Sequence, residues 1–226
     1  MYRERASRVP GGFVWTSVST GDPVRVLPDG CMDLLWDGRE IVIAGPDTHA
    51  QLFARPAGAP ITGLRFAPGQ APRVLGVPAD AFTNERVPLA DVWSPERVRE
   101  LTDHVAASSV PGVVLEAATR EASHPLDADA ALVDEVAALA RAGCNSTAIA
   151  ERVGLSTRQL QRRSSAAFGY GAKTLGRVLR MQRALALARR GVRTADAAAR
   201  TGYADQSHLA RDVKDMAGVP LGALVG

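Results

Sequence analysis

Two short stretches near the C-terminus carry side chains that can form paired hydrogen bonds. In residues 156–163, STRQLQRR, and residues 205–212, DQSHLARD, a single leucine (Leu160 or Leu209) must face inward on any helix formed there. The outward residues are then Arg158, Gln161 and Arg162 in the first stretch, and Gln206, Ser207, His208 and Arg211 in the second. Arginine can donate two hydrogen bonds to guanine, and glutamine can bind adenine in the same way. Both stretches therefore predict contacts with the edges of bases.

Other polar side chains in this region suit phosphates, because charge positions a protein on a polyanion without reading its sequence. The candidates are Thr157, Arg163, Lys173, Arg177 and Arg193. The distribution of charge supports this reading. Residues 1–140 hold 12 basic and 19 acidic residues, whereas residues 141–226 hold 15 basic and 5 acidic ones. A basic segment of this kind is typical of a protein that binds a polyanion.

The elements that position these side chains form a repeat. Residues 148–163, AIAERVGLSTRQLQRR, and residues 197–212, AAARTGYADQSHLARD, align on Gly154 and Gly202, the second copy being one residue longer before its leucine. Each copy predicts a short helix, a glycine turn and a second helix that Ser156 or Asp205 would cap. A helix over about residues 172–190 joins the copies. The pattern predicts two helix-turn-helix units.

This region resembles the DNA-binding domain of AraC-type bacterial transcription regulators, in which one long helix joins two helix-turn-helix units. The matching stretches are AIAERVGLSTRQLQR, the FG turn at residues 168–169, RVLRMQRALALARRG, TGYADQSHLARDVK and AGVPLGAL. The resemblance implies an all-α DNA-binding domain over residues 126–226, with base contacts from the outward residues named above. Three positions depart from the family pattern: Ser164 and Val213 stand where an apolar or aromatic residue packs, and Leu209 replaces a common phenylalanine.

The front of the chain, residues 1–125, reads as a β domain with trailing helices. Apolar runs at residues 13–18, 24–27, 32–36, 41–44 and 63–66 are separated by proline, glycine and other turn residues. Asp37-Gly38 between two of the runs predicts a hairpin, and Ser94-Pro95-Glu96 predicts the start of a helix. We expect an α+β protein of two domains, with a small β barrel or sandwich, cupin-like at best, at the N-terminus.

The stretches LPDGCMDLLWDG, IAGPDT and GLRFAPG resemble the short sensor-like domains that are fused to such regulators in high-GC bacteria. A small-molecule effector would bind in this domain, with Trp15, Cys31 and Trp36 as candidate contacts. The expected partners are double-stranded DNA, this effector, RNA polymerase if the protein is an activator, and a second copy in a homodimer. We expect no catalytic residues, no cofactor and no metal.

The sequence argues against a membrane protein, an exported protein and a CxxC metal or redox site. No stretch approaches the roughly 18 apolar residues of a membrane span, the N-terminal residues lack an apolar signal core, and the two cysteines have no CxxC partner. These features predict a cytoplasmic protein. Two alternatives stay open: a cupin-like metal enzyme tethered to DNA, using His49 with Asp47 or Asp33, and an architectural DNA-binding protein without an effector. Cys31 could also be a thiol sensor or an alkyl-accepting nucleophile.

Overall fold

The computed structural model describes residues 2–122 and 128–225. The domain boundary expected between residues 125 and 126 lies outside these residues. Within these residues there are eight strands and ten α-helices. Seven strands come first, the first helix lies between the seventh and eighth strands, and the other nine helices follow. The α+β class with a β-rich N-terminal part and a helical C-terminal part is therefore confirmed.

The strands form two antiparallel sheets. The larger sheet has the order β1-β2-β7-β4-β5-β8, and its strands are Tyr2–Ala6 (β1), Phe13–Val18 (β2), Met32–Trp36 (β4), Ile41–Ala44 (β5), Pro60–Phe66 (β7) and Arg86–Pro88 (β8). The smaller sheet pairs Val24–Val26 (β3) with Gln51–Phe53 (β6). The two sheets are open and do not close into a barrel. Of the barrel and the sandwich that the sequence predicted, the structure therefore has the sandwich-like arrangement. The charged strand β1 is an element that apolar patterning did not predict.

Side-chain alternation gives the larger sheet two different faces. In β4, Met32, Leu34 and Trp36 are buried in the main core, while Asp33 and Leu35 point to the other face. Successive residues of a strand face opposite ways, so this parity applies along the whole strand. The loop after β4 is the predicted hairpin: Gly38 has φ +97°, and the carboxylate of Asp37 accepts hydrogen bonds from the N–H groups of Arg39 and Glu40 at 2.8 and 3.0 Å.

Helices cover the apolar face of the larger sheet. They are Ala71–Leu75 (α1), Pro95–Ala107 (α2), which begins at the predicted proline, and Pro111–Ala122 (α3). Val98, Leu101 and Val105 of α2 and Leu115 of α3 complete the core over the sheet. Gly112 brings α3 so close to β2 that a Cβ there would collide with Val14. The main core thus lies between the sheet and α1–α3, and leaves the opposite face of the sheet available.

A buried carboxylate ties α3 to the N-terminal strands. Glu116 is 2% exposed and accepts hydrogen bonds from the Arg5 guanidinium at 3.1 Å, from the Ser7 hydroxyl at 2.7 Å and from the backbone N–H of Arg8. Burial alone would raise the pKa of Glu116, but these donors outweigh it and lower the pKa from 4.5 to about 2. Ionised Glu116 therefore stabilises the folded state at neutral pH.

Because the folded pKa lies below the unfolded one, Glu116 stabilises the fold fully above about pH 4.5 and loses this effect as the pH falls toward about 2. We expect Glu116→Gln to lower the free energy of unfolding at pH 7 and to flatten its decline between these pH values. Urea unfolding at a series of pH values measures both effects. The matched control is Glu121→Gln, at an exposed position of the same helix. An equal pH profile for the two variants would contradict the prediction.

The C-terminal part is helical. Its helices are Ala128–Ala142 (α4), Ser146–Arg152 (α5), Thr157–Phe168 (α6), Ala172–Arg189 (α7), Thr194–Thr201 (α8), Gln206–Ala217 (α9) and Gly222–Val225 (α10). The N-terminal half of α7 packs with α4–α6 around Ile149, Leu160 and Leu175, and its C-terminal half packs with α8 and α9 around Met181 and Leu209. The long helix α7 therefore joins two separate small cores, one for each predicted unit.

The β domain contacts both of these units. The Thr83 hydroxyl donates to the carbonyl of Gly169 after α6 at 2.8 Å, and the Arg25 guanidinium donates to the carbonyl of Ala217 at the end of α9 at 2.8 Å. The Gln182 amide of α7 donates to the carbonyl of Pro28 at 2.6 Å. Gly30 lies against α7, where an added Cβ would come within 3.1 Å of Leu175. The β domain thus holds the ends of α6 and α9 and the middle of α7.

Candidate DNA interface and ligand cavity

The first helix-turn-helix unit consists of α5 and α6. Gly154 adopts φ +67° in the turn, where a residue with a side chain would be strained. The Ser156 hydroxyl accepts from the Gln159 N–H at 3.2 Å while the Gln159 side chain accepts from the Ser156 N–H at 2.9 Å, which forms a capping box at the start of α6. Asn145 caps the start of α5 by accepting from the Ala148 N–H at 2.9 Å, a cap that was not predicted from the sequence. Local hydrogen bonds therefore set the starts of both helices of the unit.

The outward side of α6 carries the predicted residues. Leu160 is 2% exposed and Arg158 and Arg162 are exposed, as helical spacing requires. Gln161 is exposed too, but its amide donates to Ser165 at 3.3 Å and lies against Gly171, in the turn between α6 and α7. The side chains of Arg158 and Arg162 are thus accessible from outside the unit, and Gln161 lies toward one edge of the helix.

The second unit, α8 and α9, repeats the arrangement. Gly202 has φ +81°, and the Asp205 carboxylate caps α9 by accepting from the His208 N–H at 2.7 Å. Leu209 is fully buried, while Gln206, Ser207 and Arg211 are exposed. The His208 ring is half-buried and lies edge-on to Tyr203, with ring centroids 5.1 Å apart. His208 therefore packs within the unit as well as facing outward.

A buried carboxylate on α9 joins the second unit to α7. Asp212 accepts hydrogen bonds from Arg177 and, at 2.8 Å, from the Tyr203 hydroxyl, and the Arg180 guanidinium lies 3.7 Å from it. Burial raises the pKa of Tyr203, and its hydrogen bond to Asp212 raises it further. Arg177 is one of the phosphate contacts predicted from the sequence, and Asp212 was not predicted as a functional residue. In the structure Arg177 is ion-paired with Asp212 and Asp215, so it holds α7 to α9.

The other phosphate candidates lie at the surface. Thr157, Arg163 and Lys173 are exposed near the starts and ends of α6 and α7. Arg193 precedes α8 with 85% of its side chain exposed, and it donates to Asp196 at 2.9 Å. An exposed pair of this kind is weak enough for a phosphate to replace Asp196 as the partner of Arg193.

The β domain contains a cavity of about 380 Å³ between its two sheets, here called the β cavity. Trp15 and Cys31, two of the three candidate effector contacts, line it. Trp36, the third, does not, because it lies on the core face of β4 and is 8% exposed. The wall also includes Leu35, Val42, Ile61, Val26 and Phe53 from both sheets, and is mostly apolar.

Most of the charged groups in the β cavity are paired with one another; Arg55 instead donates to the carbonyl of Ala59 at 3.2 Å, and Asp37 accepts from backbone N–H groups. The Arg65 guanidinium lies 3.3 Å from both Asp29 and Asp33, and Arg86 lies 2.7 Å from Asp47. Burial raises the pKa of Asp33 despite the attraction of Arg65, and Trp15 Nε1 donates to this carboxylate at 2.7 Å. Burial, aided by Asp29, also raises the pKa of the Cys31 thiol well above its usual value. Such a thiol is protonated at neutral pH and is therefore a poor nucleophile.

Each part of the chain matches the model of a known protein family. Residues 149–225 match the model of a helix-turn-helix domain, and residues 13–88 match that of a domain of unknown function (DUF6597). The C-terminal part of the chain is an AraC-type helix-turn-helix domain. With this domain the protein is a DNA-binding transcription regulator. No curated protein sequence matches the chain at a significant level.

Solved structures resemble this chain over nearly its whole length. An apo variant of ToxT from Vibrio cholerae is 11% identical with a TM-score of 0.51, and the match covers 97% of this chain and 98% of that one. ToxT from the same organism with a bound unsaturated fatty acid is 11% identical with a TM-score of 0.49, over 95% and 94% of the two chains. The first likeness indicates a shared order of a β-rich and a helical part, and concerns the fold only.

The residues considered for a metal site are not assembled as one. Asp47 and Asp33 are held by arginines, and His49 is exposed, with its ring 3.2 Å from the Thr48 hydroxyl. Over residues 2–122 and 128–225, no three His, Cys, Asp or Glu side chains are grouped as a metal ion would require. In the same residues no helix is long and apolar enough to cross a membrane.

Proposed function

We propose that this regulator is a one-component switch that binds two adjacent DNA boxes and responds to a small molecule in the β cavity. The observation that carries the proposal is the pair of capped helices, α6 and α9, that present guanidinium and amide groups outward from one shared helix, α7. A recognition helix of this kind enters a major groove with its exposed residues on base edges. In this proposal residues 126–226 bind DNA and residues 1–125 sense the effector.

The proposed base contacts are Arg158, Gln161 and Arg162 from α6, and Gln206, Ser207, His208 and Arg211 from α9. The proposed phosphate contacts are Thr157 and Arg163 of α6, Lys173 in the first turn of α7, and Arg193 just before α8. Arg177 is left out of this set because Asp212 and Asp215 already bind it. The second unit has fewer strong donors than the first, since Ala210 and Ser207 occupy its exposed side.

The proposed effector is an uncharged, largely apolar small molecule. The β cavity has mostly apolar walls. Of the three arginines among the described residues that line it, Arg65 and Arg86 are ion-paired with aspartates and Arg55 donates to the carbonyl of Ala59, and four aspartates line the cavity as well, so no excess of positive charge favours an anion. The small sheet that forms one wall also touches the DNA-binding part, through Arg25 on Ala217 and through Leu27 in the core around α9. A ligand that moves this sheet would therefore shift the end of α9, which gives effector binding a route to DNA affinity.

The remaining parts of the proposal follow from the role of a regulator. The protein acts in the cytoplasm, where bacterial DNA lies, and it works by binding rather than by catalysis. Binding of two copies at neighbouring sites would make a homodimer, and an activator would also contact RNA polymerase. The raised pKa of the Cys31 thiol supports effector binding over a covalent thiol reaction in this cavity.

Footprinting on the DNA that flanks its own gene tests the DNA-binding part of the proposal. The salt dependence of binding then separates phosphate contacts from base contacts. We expect Lys173→Ala to weaken binding to all sequences alike and to lower the slope of log K against log salt by about one, because one fewer counterion is released. Arg99→Ala, at an exposed arginine on α2 of the β domain, is the control. A loss confined to particular base pairs would contradict the phosphate role of Lys173.

Ligand screening by thermal unfolding tests the effector part. A neutral apolar compound that binds only the folded state should stabilise it by about 2.7 kcal/mol at one hundred times its Kd. Ser17→Phe, which places a ring in the β cavity from β2, should abolish the shift. Thr16→Phe, on the opposite face of the same strand, should retain it. If no compound stabilises the protein, or if Ser17→Phe has no effect, the architectural alternative without an effector is favoured.

A further inference from the structure

The turn between α6 and α7, residues 168–171, is seated tightly on the β domain. Gly169 lies so close to the loop of residues 45–48 that an added Cβ would come within 2.4 Å of Pro46. The Thr83 hydroxyl donates to the carbonyl of Gly169 at 2.8 Å beside this contact. The C-terminal end of the recognition helix α6 is therefore held by the β domain through a close backbone approach and one hydrogen bond.

A second loop of the β domain, residues 28–31, contacts α7 directly after this turn. Gly30 packs against α7 without room for a larger residue, and the carbonyl of Pro28 accepts from the Gln182 amide at 2.6 Å. This loop and the loop of residues 45–48 are here called the shared wall. The shared wall therefore contacts both the turn that ends α6 and the helix that joins the two units.

The other side of the shared wall lines the β cavity. Asp29 and Cys31, the neighbours of Gly30 in the chain, are among the residues that line the cavity. Asp47, the neighbour of Pro46, lines it as well. Adjacent residues of each loop thus contact the helices and the cavity in turn, so the shared wall lies between the β cavity and the DNA-binding part.

Tyr170, within the turn, is buried with an unpaired hydroxyl. The residue is 7% exposed, and among the described residues no group shares a hydrogen bond with its hydroxyl. Burial raises the pKa of Tyr170, and the acidic groups of Asp29, Cys31 and Asp47 in the shared wall raise it further. The hydroxyl therefore remains protonated, as a donor without an acceptor, within electrostatic reach of the shared wall.

The carboxylates of the shared wall are engaged by other partners. Asp29 lies 3.3 Å from the Arg65 guanidinium, and Asp47 accepts from Arg86 at 2.7 Å. A buried hydroxyl without a partner costs free energy. Only the seated turn bears this cost, because a turn that left the shared wall would expose the Tyr170 hydroxyl to solvent.

We propose that residues 168–171 make a reversible contact with the shared wall, and that the Tyr170 hydroxyl sets the balance between a seated and a released turn. In the seated state, packing and the hydrogen bond at Gly169 hold the end of α6. In the released state, the first helix-turn-helix unit moves relative to the β domain and the Tyr170 hydroxyl is hydrated. Tyr170 is thus a positioning residue that brings the two states closer in free energy than phenylalanine would.

The consequences for ligand and DNA binding rest on the proposed function. A ligand in the β cavity contacts the shared wall, so a ligand that binds the two states unequally changes the fraction of seated turn. The seated turn holds α6 while Arg25 holds the end of α9, so the seated state fixes how the two recognition helices are placed on DNA. Effector binding then reaches the first unit through Tyr170, in addition to the second unit through the small sheet.

Hydrogen–deuterium exchange of the full-length protein, measured by mass spectrometry, tests the reversible contact without DNA or ligand. Tyr170→Phe should slow exchange over residues 168–175 by about threefold or more, because loss of the unpaired hydroxyl favours the seated state. The midpoint of thermal unfolding should stay the same or rise. Thr83→Val, which removes the hydrogen bond to Gly169, should speed exchange over the same residues.

Tyr203 provides the matched control, since it is equally buried but its hydroxyl is paired. It is 4% exposed, and its hydroxyl donates to Asp212 at 2.8 Å. Tyr203→Phe should therefore lower the unfolding midpoint and speed exchange in α8 and α9, with residues 168–175 left at the wild-type rate. The two substitutions remove the same atom, and their effects should have opposite signs.

Unchanged or faster exchange over residues 168–175 in Tyr170→Phe, or a lowered unfolding midpoint, would mean that the hydroxyl does not oppose the seated turn, and would overturn the inference. DNA provides a separate readout, with duplexes whose two boxes lie about 10 and about 12 base pairs apart. Tyr170→Phe should bind the wider duplex about threefold more weakly relative to the narrower one. An unchanged ratio would refute only the link to DNA placement, and failure of the wild type to bind either duplex would refute the proposed function while the exchange result stands.

Discussion

Replacing Asp212 by alanine is expected to destabilise the protein by about 3 kcal/mol, because it removes one buried acceptor that two arginines and a buried hydroxyl share. The side chain of Asp212 is 6% exposed, and it is the shared acceptor for Arg177 and the Tyr203 hydroxyl, with Arg180 close by. Urea unfolding measures the loss. DNA binding should weaken in parallel, since these contacts hold α9 at its angle to α7.

Asp215→Asn provides the matched control for this prediction. Asp215 contacts the same guanidinium, that of Arg177, at 3.1 Å, but its side chain is 69% exposed. An exposed ion pair contributes about 0–1 kcal/mol, so this variant should remain close to the wild type in stability. Tyr203→Phe removes a single hydrogen bond to Asp212 and should fall between the two. Equal stability of the Asp212 and Asp215 variants would show that burial does not govern this cluster.

Arg162→Ala or Arg158→Ala should reduce DNA affinity by about 1–3 kcal/mol and relax base preference in one box only. Arg211→Ala or Gln206→Ala should do the same in a second, different box. Because α7 joins the two units, we expect the boxes to lie about one DNA turn apart, roughly 10 base pairs, on one face of the duplex. The outward residues of α6 and α9 differ, so the complete site should be asymmetric. Selection of binding sites from random DNA, repeated for each variant, measures these effects.

An exposed arginine outside both recognition helices serves as the control for the two-box prediction. Arg152→Ala, at the end of α5, should leave base preference unchanged in both boxes. If the α6 and α9 variants altered the same base pairs, the two helices would not occupy separate grooves. In that case the two-box arrangement would have to be abandoned.

Local chemistry allowed the DNA-binding part to be predicted well from the sequence. A capping hydrogen bond joins residues three positions apart, as between Ser156 and Gln159 or Asp205 and His208, and a glycine turn depends on the φ of one residue, as at Gly154. Such features are complete within a few residues. The outward positions of α6 follow in turn from helical spacing, once Leu160 is known to be buried.

The β domain was less predictable, because strand pairing depends on partners far apart in the chain. Alternation in β4 separates residues into two sets, but only the packing of α2 and α3 decides which set is core. Trp36, a predicted effector contact, therefore lies in the main core. Asp33, on the other face of β4, lines the β cavity instead. Strand β1 was missed because its side chains are exposed and it is held by pairing with β2.

The sequence by itself determined that the chain carries two capped helix-turn-helix units with basic outward faces, since those signals are local or periodic. Only the tertiary structure decided which charges are free. Arg177 and Asp212 are 35 residues apart, and Arg65 and Asp33 are 32 apart, yet each pair is in contact. No pattern along the chain indicates such pairs, because an arginine that binds phosphate and one that binds a buried aspartate have the same residue type. The difference between them is the position of the carboxylate, which the packing of α9 on α7 and of β4 on β7 determines.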